Sequence, residues 1–326
     1  MPMVMKKPNY SVTSFFCGCG GLDLGFRGDF VCHGEKYEKL PFDIRHAYDF
    51  NEPCIETYNR FFGSKHAEQL DLSNADISTI GKTDLLIGGF PCQEFSSCGP
   101  LGGLDSDRGQ LYKVMVQYMH LHHPLMVVGE NVINLLRMND GDVIRTIIQD
   151  LEGEGYRVAV WNLFAPDYGI PQRRNRLFFI CVRDDIDGFP QMPVPKYKDN
   201  HRSIEWAIGD LIHITDESVP NQSQYFAASR AKKGNGQGDE INIADRPAYT
   251  IRANPKSRVQ YHYELNRRLT VRECARIQTF PDDFLFKHSM TTSISQIGNA
   301  VPPVLGYVVA TAVADFLNMI GGKNNG

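Results

Sequence analysis

The sequence predicts an α/β fold: a doubly wound, mostly parallel sheet joined to a smaller, irregular domain. Three observations carry that expectation. Short apolar runs alternate with helix-period stretches from residue 11 to about 188. The first run ends in a cluster of glycines, and helical periodicity returns near the C-terminus after a basic, irregular stretch. Alternation of this kind covers both faces of a parallel sheet with helices.

Residues 12–16, 84–88, 125–130, 157–163 and 177–182 read as strands. DLLIG (84–88) and LMVVGE (125–130) have the near-continuous apolar character of strands buried on both faces. Residues 142–151 read as a helix, with Ile144, Ile147, Ile148 and Leu151 on one face, Asp142 as N-cap and Gly153 just past the end. The prolines of FPQMPVP (189–195) mark a linker. Residues 200–265 are weakly periodic and carry the glycine-rich stretch 233–238. A last helix is expected over 302–319, with Val304, Val308, Ala312 and Phe316 recurring at i+4. The expected division is a large domain, 1–188 plus 291–326, and a small one, 189–290.

At 326 residues, 42% hydrophobic and 22% charged, the chain can bury a real core, which excludes disordered and collagen-like classes. No apolar run of about 18 residues stands out as a membrane span. No apolar segment follows Lys6 and Lys7, so a soluble, cytoplasmic protein is expected, with no membrane partner. The eight cysteines, at 17, 19, 32, 54, 92, 98, 181 and 274, form no CxxC pair and no zinc-spaced array. Free thiols and no metal are expected. The net charge is −4, yet residues 226–276 hold eleven Lys/Arg against five Asp/Glu. A basic segment on an acidic body fits either a polyanion-facing module or a solvated surface.

Ser14–Phe26 reads as a strand, the turn Gly18-Cys19-Gly20-Gly21, then a helix. Glycines there let backbone approach a ligand in the crevice of a doubly wound fold. Asp49 could bind ribose hydroxyls after the second strand, and Asp71 an adenine amino group after the third. The spacing from Gly21 to Asp49 exceeds that of a dinucleotide fingerprint, so residues 33–46 are read as an insertion and NAD is disfavoured. Cys92 follows a buried strand on a proline-bent loop, where α/β folds perform chemistry.

Several distant motifs then cohere. FFCGCGG (15–21), GGFPCQEFS (88–96), DRGQLY (107–112), GENV (129–132), DYGIPQRRNR (167–176), RRLTVRECARIQTFPDDF (267–284) and QIGNAVPP (296–303) closely resemble, in order, the motifs of the C5-cytosine DNA methyltransferases of bacteria and phages. The resemblance implies a Rossmann-like domain binding S-adenosyl-L-methionine, with a small target-recognition domain. It places Phe16, Gly18, Gly20, Gly21, Asp49, Phe50, Asp71, Leu72, Pro91, Leu111, Asn299 and Val301 around the cofactor. Asp49 stands where glutamate is usual, and Cys17 and Cys19 sit inside the glycine turn. Cys92 would be the nucleophile that adds to cytosine C6, Glu130 the partner of N3 and the 4-amino group, and Arg174 and Arg176 the cations steadying the cytosine carbonyl, the developing charge and the adjacent backbone.

The implied partner is double-stranded DNA, with the target base flipped out. Gln93, Ser96, Gln237, Thr250, Arg252 and Arg268 would contact the nucleic acid, with Arg267 and Arg272 also available to phosphates. A chain of this size fits a monomer in a restriction–modification pair, with a cognate endonuclease sharing its site. The alternatives are a tRNA cytosine methyltransferase on the same fold, against which the long segment 190–265 argues, and a catalytically silent DNA-binding regulator. The latter would be marked by loss of the cysteine, glutamate or arginines, and all are present.

Overall fold

The computed structural model describes residues 9–63, 65–91, 111–223, 239–254 and 259–323. Seven strands form the main sheet: β1 (Tyr10–Phe15), β4 (Phe42–Asp49), β5 (Ala67–Gln69), β6 (Leu85–Gly89), β7 (Met126–Val132), β8 (Tyr156–Phe164) and β9 (Asn175–Arg183). Their spatial order is β5-β4-β1-β6-β7-β9-β8. All neighbours are parallel except β9, which runs antiparallel to β7 and β8. The order reverses direction at β1 and β6, and ligands of open α/β sheets bind outside the strand C-termini at such a point.

Alternate residues of the central strands enter two separate cores. Leu85, Ile87, Met126, Val128, Phe178 and Ile180 pack on one side, Leu86, Val127, Leu177, Phe179 and Cys181 on the other. Both faces are therefore apolar, which is why these strands read as continuous runs. One face is covered by α1 (Gly21–Arg27) and α8 (Pro303–Lys323), the other by α3 (Tyr112–His122) and α4 (Asp142–Gly153). α1 and α8 cross at backbone contact: a Cβ at Gly25 would lie 2.5 Å from the carbonyl carbon of Gly306. The C-terminal helix thus returns to the first helix of the chain.

Three local expectations are corrected. Gly141, at φ +85°, is the N-cap of α4 and Asp142 its first helical residue, while Gly153 closes the helix from within. Residues 33–46 are only partly an insertion. β2 (Phe30–Cys32) and β3 (Glu35–Tyr37) make a small hairpin, but the segment from Phe42 onward is the strand β4. On α8 the core takes a wider face than the expected row: Leu305, Val309, Val313 and Leu317 are fully buried, Val304 and Phe316 of the expected row are buried beside them, and Val308 and Ala312 are half-buried.

The remaining elements are α2 (Glu52–Phe62), α5 (Ile204–Ile208), the two-residue strands β10 (Glu240–Ile241) and β11 (Gln260–Tyr261), α6 (Val271–Ile277) and α7 (Met290–Asn299). A stretch through α7 and α8 is long and apolar enough to cross a membrane by composition, contrary to the sequence expectation. Its most apolar window is 72% buried inside the protein, so it serves as core.

Candidate active site

The glycine turn leaves β1 with Phe16 at φ +54° and Gly18 at φ +54°. A Cβ built on Gly18 would meet nothing within 4 Å, so this backbone faces open space. The other two glycines serve packing. A Cβ on Gly20 would strike Phe62 and Tyr58, and one on Gly21 would lie 2.3 Å from the carbonyl oxygen of Val301. Gly21 therefore brings the start of α1 against the loop that follows α7, joining residues 280 positions apart in the chain.

Asp49 ends β4 beside this turn. Its Oδ2 accepts from the Gly18 N–H and its Oδ1 from the Asn51 N–H, both at 2.9 Å. Burial pushes its carboxyl up, against those two hydrogen bonds. Phe50 follows with its ring 65% exposed, a large apolar face at the C-terminal edge of a parallel strand. Asp71 is exposed, and its carboxylate is occupied by the Ser73 N–H and hydroxyl and by the Asn74 amide. Those bonds hold it below the usual carboxylate range. Leu72 and Val301 are buried, Pro91 and Leu111 half-buried, and Asn299 exposed at the end of α7.

Glu130 lies in β7 opposite Phe178 of β9, and Arg176 stands two residues before Phe178. Such diagonal neighbours share a face and are within reach of long side chains. Arg176 Nε is 2.7 Å from Glu130 Oε1, with each side chain about one-tenth exposed. Burial raises the Glu130 carboxyl, opposed by Arg176 and then Arg174. On the other side, a Cβ at Gly89 would lie 3.0 Å from Glu130 Oε2, so a residue with a side chain there would crowd the carboxylate. Asn131 donates from Nδ2 to the Phe90 carbonyl at 3.2 Å, bracing the backbone just before Pro91. Sequence reasoning missed Gly89 and Asn131 as site residues. Their places within GGFPC and GENV were the available signal.

Arg174, expected to steady the base and the backbone beside it, is 1% exposed and holds backbone. Its Nη1 donates to the Ile251 carbonyl at 3.2 Å and its Nη2 to those of Gly298 and Ala300, both at 2.9 Å. Cys92, Gln93, Ser96 and Gln237 lie outside the described residues.

Part of the basic surplus is spent internally. Arg267 forms a two-pronged pair with Glu273, at 2.8 and 2.6 Å, against the expectation that it serves phosphates. Arg272 is fully buried and donates to the carbonyls of Pro220, Pro281 and Phe284. Arg276 pairs with Asp210 and Asp282. A charge count cannot separate these guanidiniums from solvent-facing ones, because buried carbonyls and carboxylates need donors. Arg252 is exposed. Arg268 is half-buried, and its Nε has no hydrogen-bond partner among the described residues. Both line a recess of about 80 Å³ with Gln260 and Thr291. Thr250 Oγ1 donates to the Arg173 carbonyl at 2.6 Å.

Comparison with known proteins is consistent across sequence and structure. Residues 10–315 match the family described as C-5 cytosine-specific DNA methylase. The type II methyltransferase M.NgoPII of Neisseria gonorrhoeae is 30% identical over 338 residues, covering 93% of this chain and 94% of that protein. M.BspRI of Lysinibacillus sphaericus is 32% identical over 353 residues, covering 95% and 83%. A prophage-encoded DNA modification methyltransferase from E. coli shares the fold with a TM-score of 0.71 at 22% identity, over 94% of this chain and 99% of that one. The Dnmt2 methyltransferase of S. pombe does so with a TM-score of 0.66 at 18% identity, over 93% and 98%. With a family match over nearly its whole length, this chain belongs to the C-5 cytosine-specific DNA methylases and is a DNA (cytosine-5-)-methyltransferase.

Proposed function

We propose that the chain binds S-adenosyl-L-methionine at the glycine turn and methylates a flipped-out cytosine in a specific duplex DNA sequence through Cys92. The buried Glu130–Arg176 pair at the C-terminal ends of β6 and β7, beside the Phe90–Pro91 backbone that leads into Cys92, carries this reading.

The residues around the turn fit the cofactor. Gly18 presents backbone with free space before it, Phe50 presents an uncovered ring suited to a purine, and Asp49 presents a buried carboxylate with lone pairs left for a diol. Phe16, Leu72, Pro91, Leu111, Asn299 and Val301 would complete the walls. Asp71 would contribute through its backbone, since its carboxylate caps its own loop. When bound, S-adenosyl-L-methionine supplies an electrophilic methyl group to cytosine C5.

Cytosine C5 is a poor nucleophile, and the protein's task is to activate it. The Cys92 thiolate adds to C6, forming an S–C bond, and the displaced ring electron pair makes C5 enamine-like. Glu130 hydrogen-bonds N3 and the 4-amino group, and burial, which pushes its carboxyl up, favours its sharing a proton with N3 as charge develops there. Arg176 orients that carboxyl and supplies positive charge beside the base. Loss of the C5 proton to a base and expulsion of the thiolate from C6 then restore the aromatic ring. Arg174 serves as a positioning residue rather than as a contact to the base.

Duplex DNA is the partner this arrangement serves, and the type II relatives support a site-specific modification enzyme paired with an endonuclease. Residues 1–188 with 291–326 form the catalytic domain in this reading, and 189–290 the target-recognition domain. A duplex carrying 5-fluorocytosine at the target position tests the chemistry. Fluorine leaves no C5 proton to remove, so a denaturing gel is expected to show covalent attachment that needs the cofactor and disappears in Cys92→Ala. Attachment that survives in Cys92→Ala would name another nucleophile. Transfer to tRNA in place of DNA would favour the RNA-modifying alternative.

A further inference from the structure

Ile251 lies between Thr250 and Arg252, and both of its main-chain groups are held by side chains from the QRRNR segment. Gln172 Oε1 accepts from the Ile251 N–H at 3.0 Å, and Arg174 Nη1 donates to the Ile251 carbonyl at 3.2 Å. Gln172 is fully buried. Its Nε2 donates to Gln278 Oε1, and the Gln278 amide in turn donates to the Ala300 carbonyl at 2.6 Å. That same carbonyl accepts from Arg174. The two side chains therefore join three distant segments, around 251, 278 and 298–300.

Main-chain bonds extend the seam. Arg173 N–H donates to the Ala248 carbonyl at 2.7 Å and Ala248 N–H to the Pro171 carbonyl at 2.9 Å. On the far side, a Cβ at Gly298 would lie 2.4 Å from the carbonyl carbon of Arg252 and 2.6 Å from the Ala253 nitrogen, so the 252–253 backbone is packed directly on α7. Residues 248–253 are thus wedged between residues 171–174, which lead into β9, and the end of α7 that carries Asn299. Buried amide and guanidinium networks of this kind leave costly orphans when a member is removed, and Arg174 Nε already has no hydrogen-bond partner among the described residues.

We propose that Gln172, acting with Arg174, is a positioning residue that couples the segment bearing Thr250 and Arg252 to the Glu130–Arg176 pair, so that contact with the correct DNA sequence sets the geometry of catalysis. This rests on the reading of Thr250 and Arg252 as DNA-facing. The physical basis is short and direct: Gln172 and Arg174 lie in the tight turn that runs into β9, where the Arg174 N–H donates to the Gln172 carbonyl at 2.8 Å, and Arg176 follows two residues on inside the strand. A shift of Ile251 is passed through this short, bonded turn to Arg176. A displacement of about 1 Å at a reacting pair lowers rate by roughly a hundredfold.

The test uses the full-length protein and single-turnover methyl transfer. The target site is first found by bisulfite sequencing of plasmid DNA from expressing cells. Each variant is then assayed on a duplex with that site and on one with a single base pair changed. Gln172→Met keeps the volume and removes both hydrogen-bonding ends. It is expected to slow transfer to the target at least about tenfold and shrink the preference for the correct site several-fold. Gln172→Glu keeps the acceptor for the Ile251 N–H but loses the donor to Gln278, and is expected to restore only part of that preference. If Gln172→Met does not fold, Arg174→Lys cuts the seam from the Ile251 carbonyl side with the same expected loss. Arg252→Ala separates the two readings. Unchanged discrimination in Arg252→Ala withdraws the DNA-facing reading, and the coupling with it. Lost discrimination there, with a wild-type ratio in Gln172→Met or its substitute, overturns the coupling alone.

Discussion

Arg176 and Glu130 meet across β9 and β7 at 2.7 Å, inside the protein and on one face of the sheet. Their pairing follows from register: Glu130 opposes Phe178, and Arg176 is the diagonal neighbour. Each charge is tolerable in the interior because of the other. The pair also explains Gly89, whose missing side chain leaves room for the second oxygen of Glu130.

Removing Arg176 should therefore damage both stability and rate. Arg176→Ala leaves Glu130 buried without its cation, a situation that costs about 3–5 kcal/mol. Urea unfolding is expected to show a loss of that order, together with a fall in single-turnover rate of at least about a hundredfold. A variant with wild-type stability would mean that Glu130 takes up a proton and needs no partner.

Arg268 is expected to act through salt-dependent affinity, because it lines a recess with Arg252 and pairs with no acid among the described residues. Neutralising one phosphate changes the slope of log K against log salt by about 0.9. Arg268→Ala should flatten the slope for duplex DNA by about one unit and leave site choice unchanged. Arg272→Ala should instead lower stability, since that side chain holds three carbonyls in the interior. Fluorescence anisotropy with labelled duplex across a salt series measures the first effect. An unaltered slope in Arg268→Ala would assign that residue to packing.

Asp23 supplies a pH dependence. It is fully buried under the glycine turn, accepting from Ser14 Oγ at 2.7 Å and from the Tyr58 hydroxyl at 2.8 Å. Burial pushes its carboxyl up to about 6, although both hydroxyls pull it down. The folded protein then holds this proton more tightly than the unfolded chain. Stability should fall as pH rises from about 4 to about 6, and stay at the lower level above that. In Asp23→Asn that loss is absent. Between about pH 4.5 and 7.5, the variant should gain on the order of 2 kcal/mol relative to wild type. A constant difference across that range would show Asp23 titrating as an ordinary carboxylate.

The sequence by itself determined the α/β class, the return of helical periodicity near the C-terminus and the membership of the family. Each depends on local pattern. Leu85, Leu86 and Ile87 are apolar in succession because both faces of β6 are covered, and FPC, ENV and QRRNR are contiguous strings whose chemistry is visible without coordinates. Only the tertiary structure decided which of the charged and small residues face the site. Arg174 and Arg176 look alike in the string, yet one holds main-chain carbonyls and the other the buried Glu130 carboxylate. Gly18 and Gly21 also look alike, although one opens on space and the other on Val301. Gln172 stands in the QRRNR string, yet nothing there showed its partners, because a neutral, untitratable side chain fits many roles. The physical reason is common to all of these. A side chain's partners come from segments tens to hundreds of residues away, and burial removes water as the alternative partner. Its role is then set by what the fold brings within about 3 Å of it.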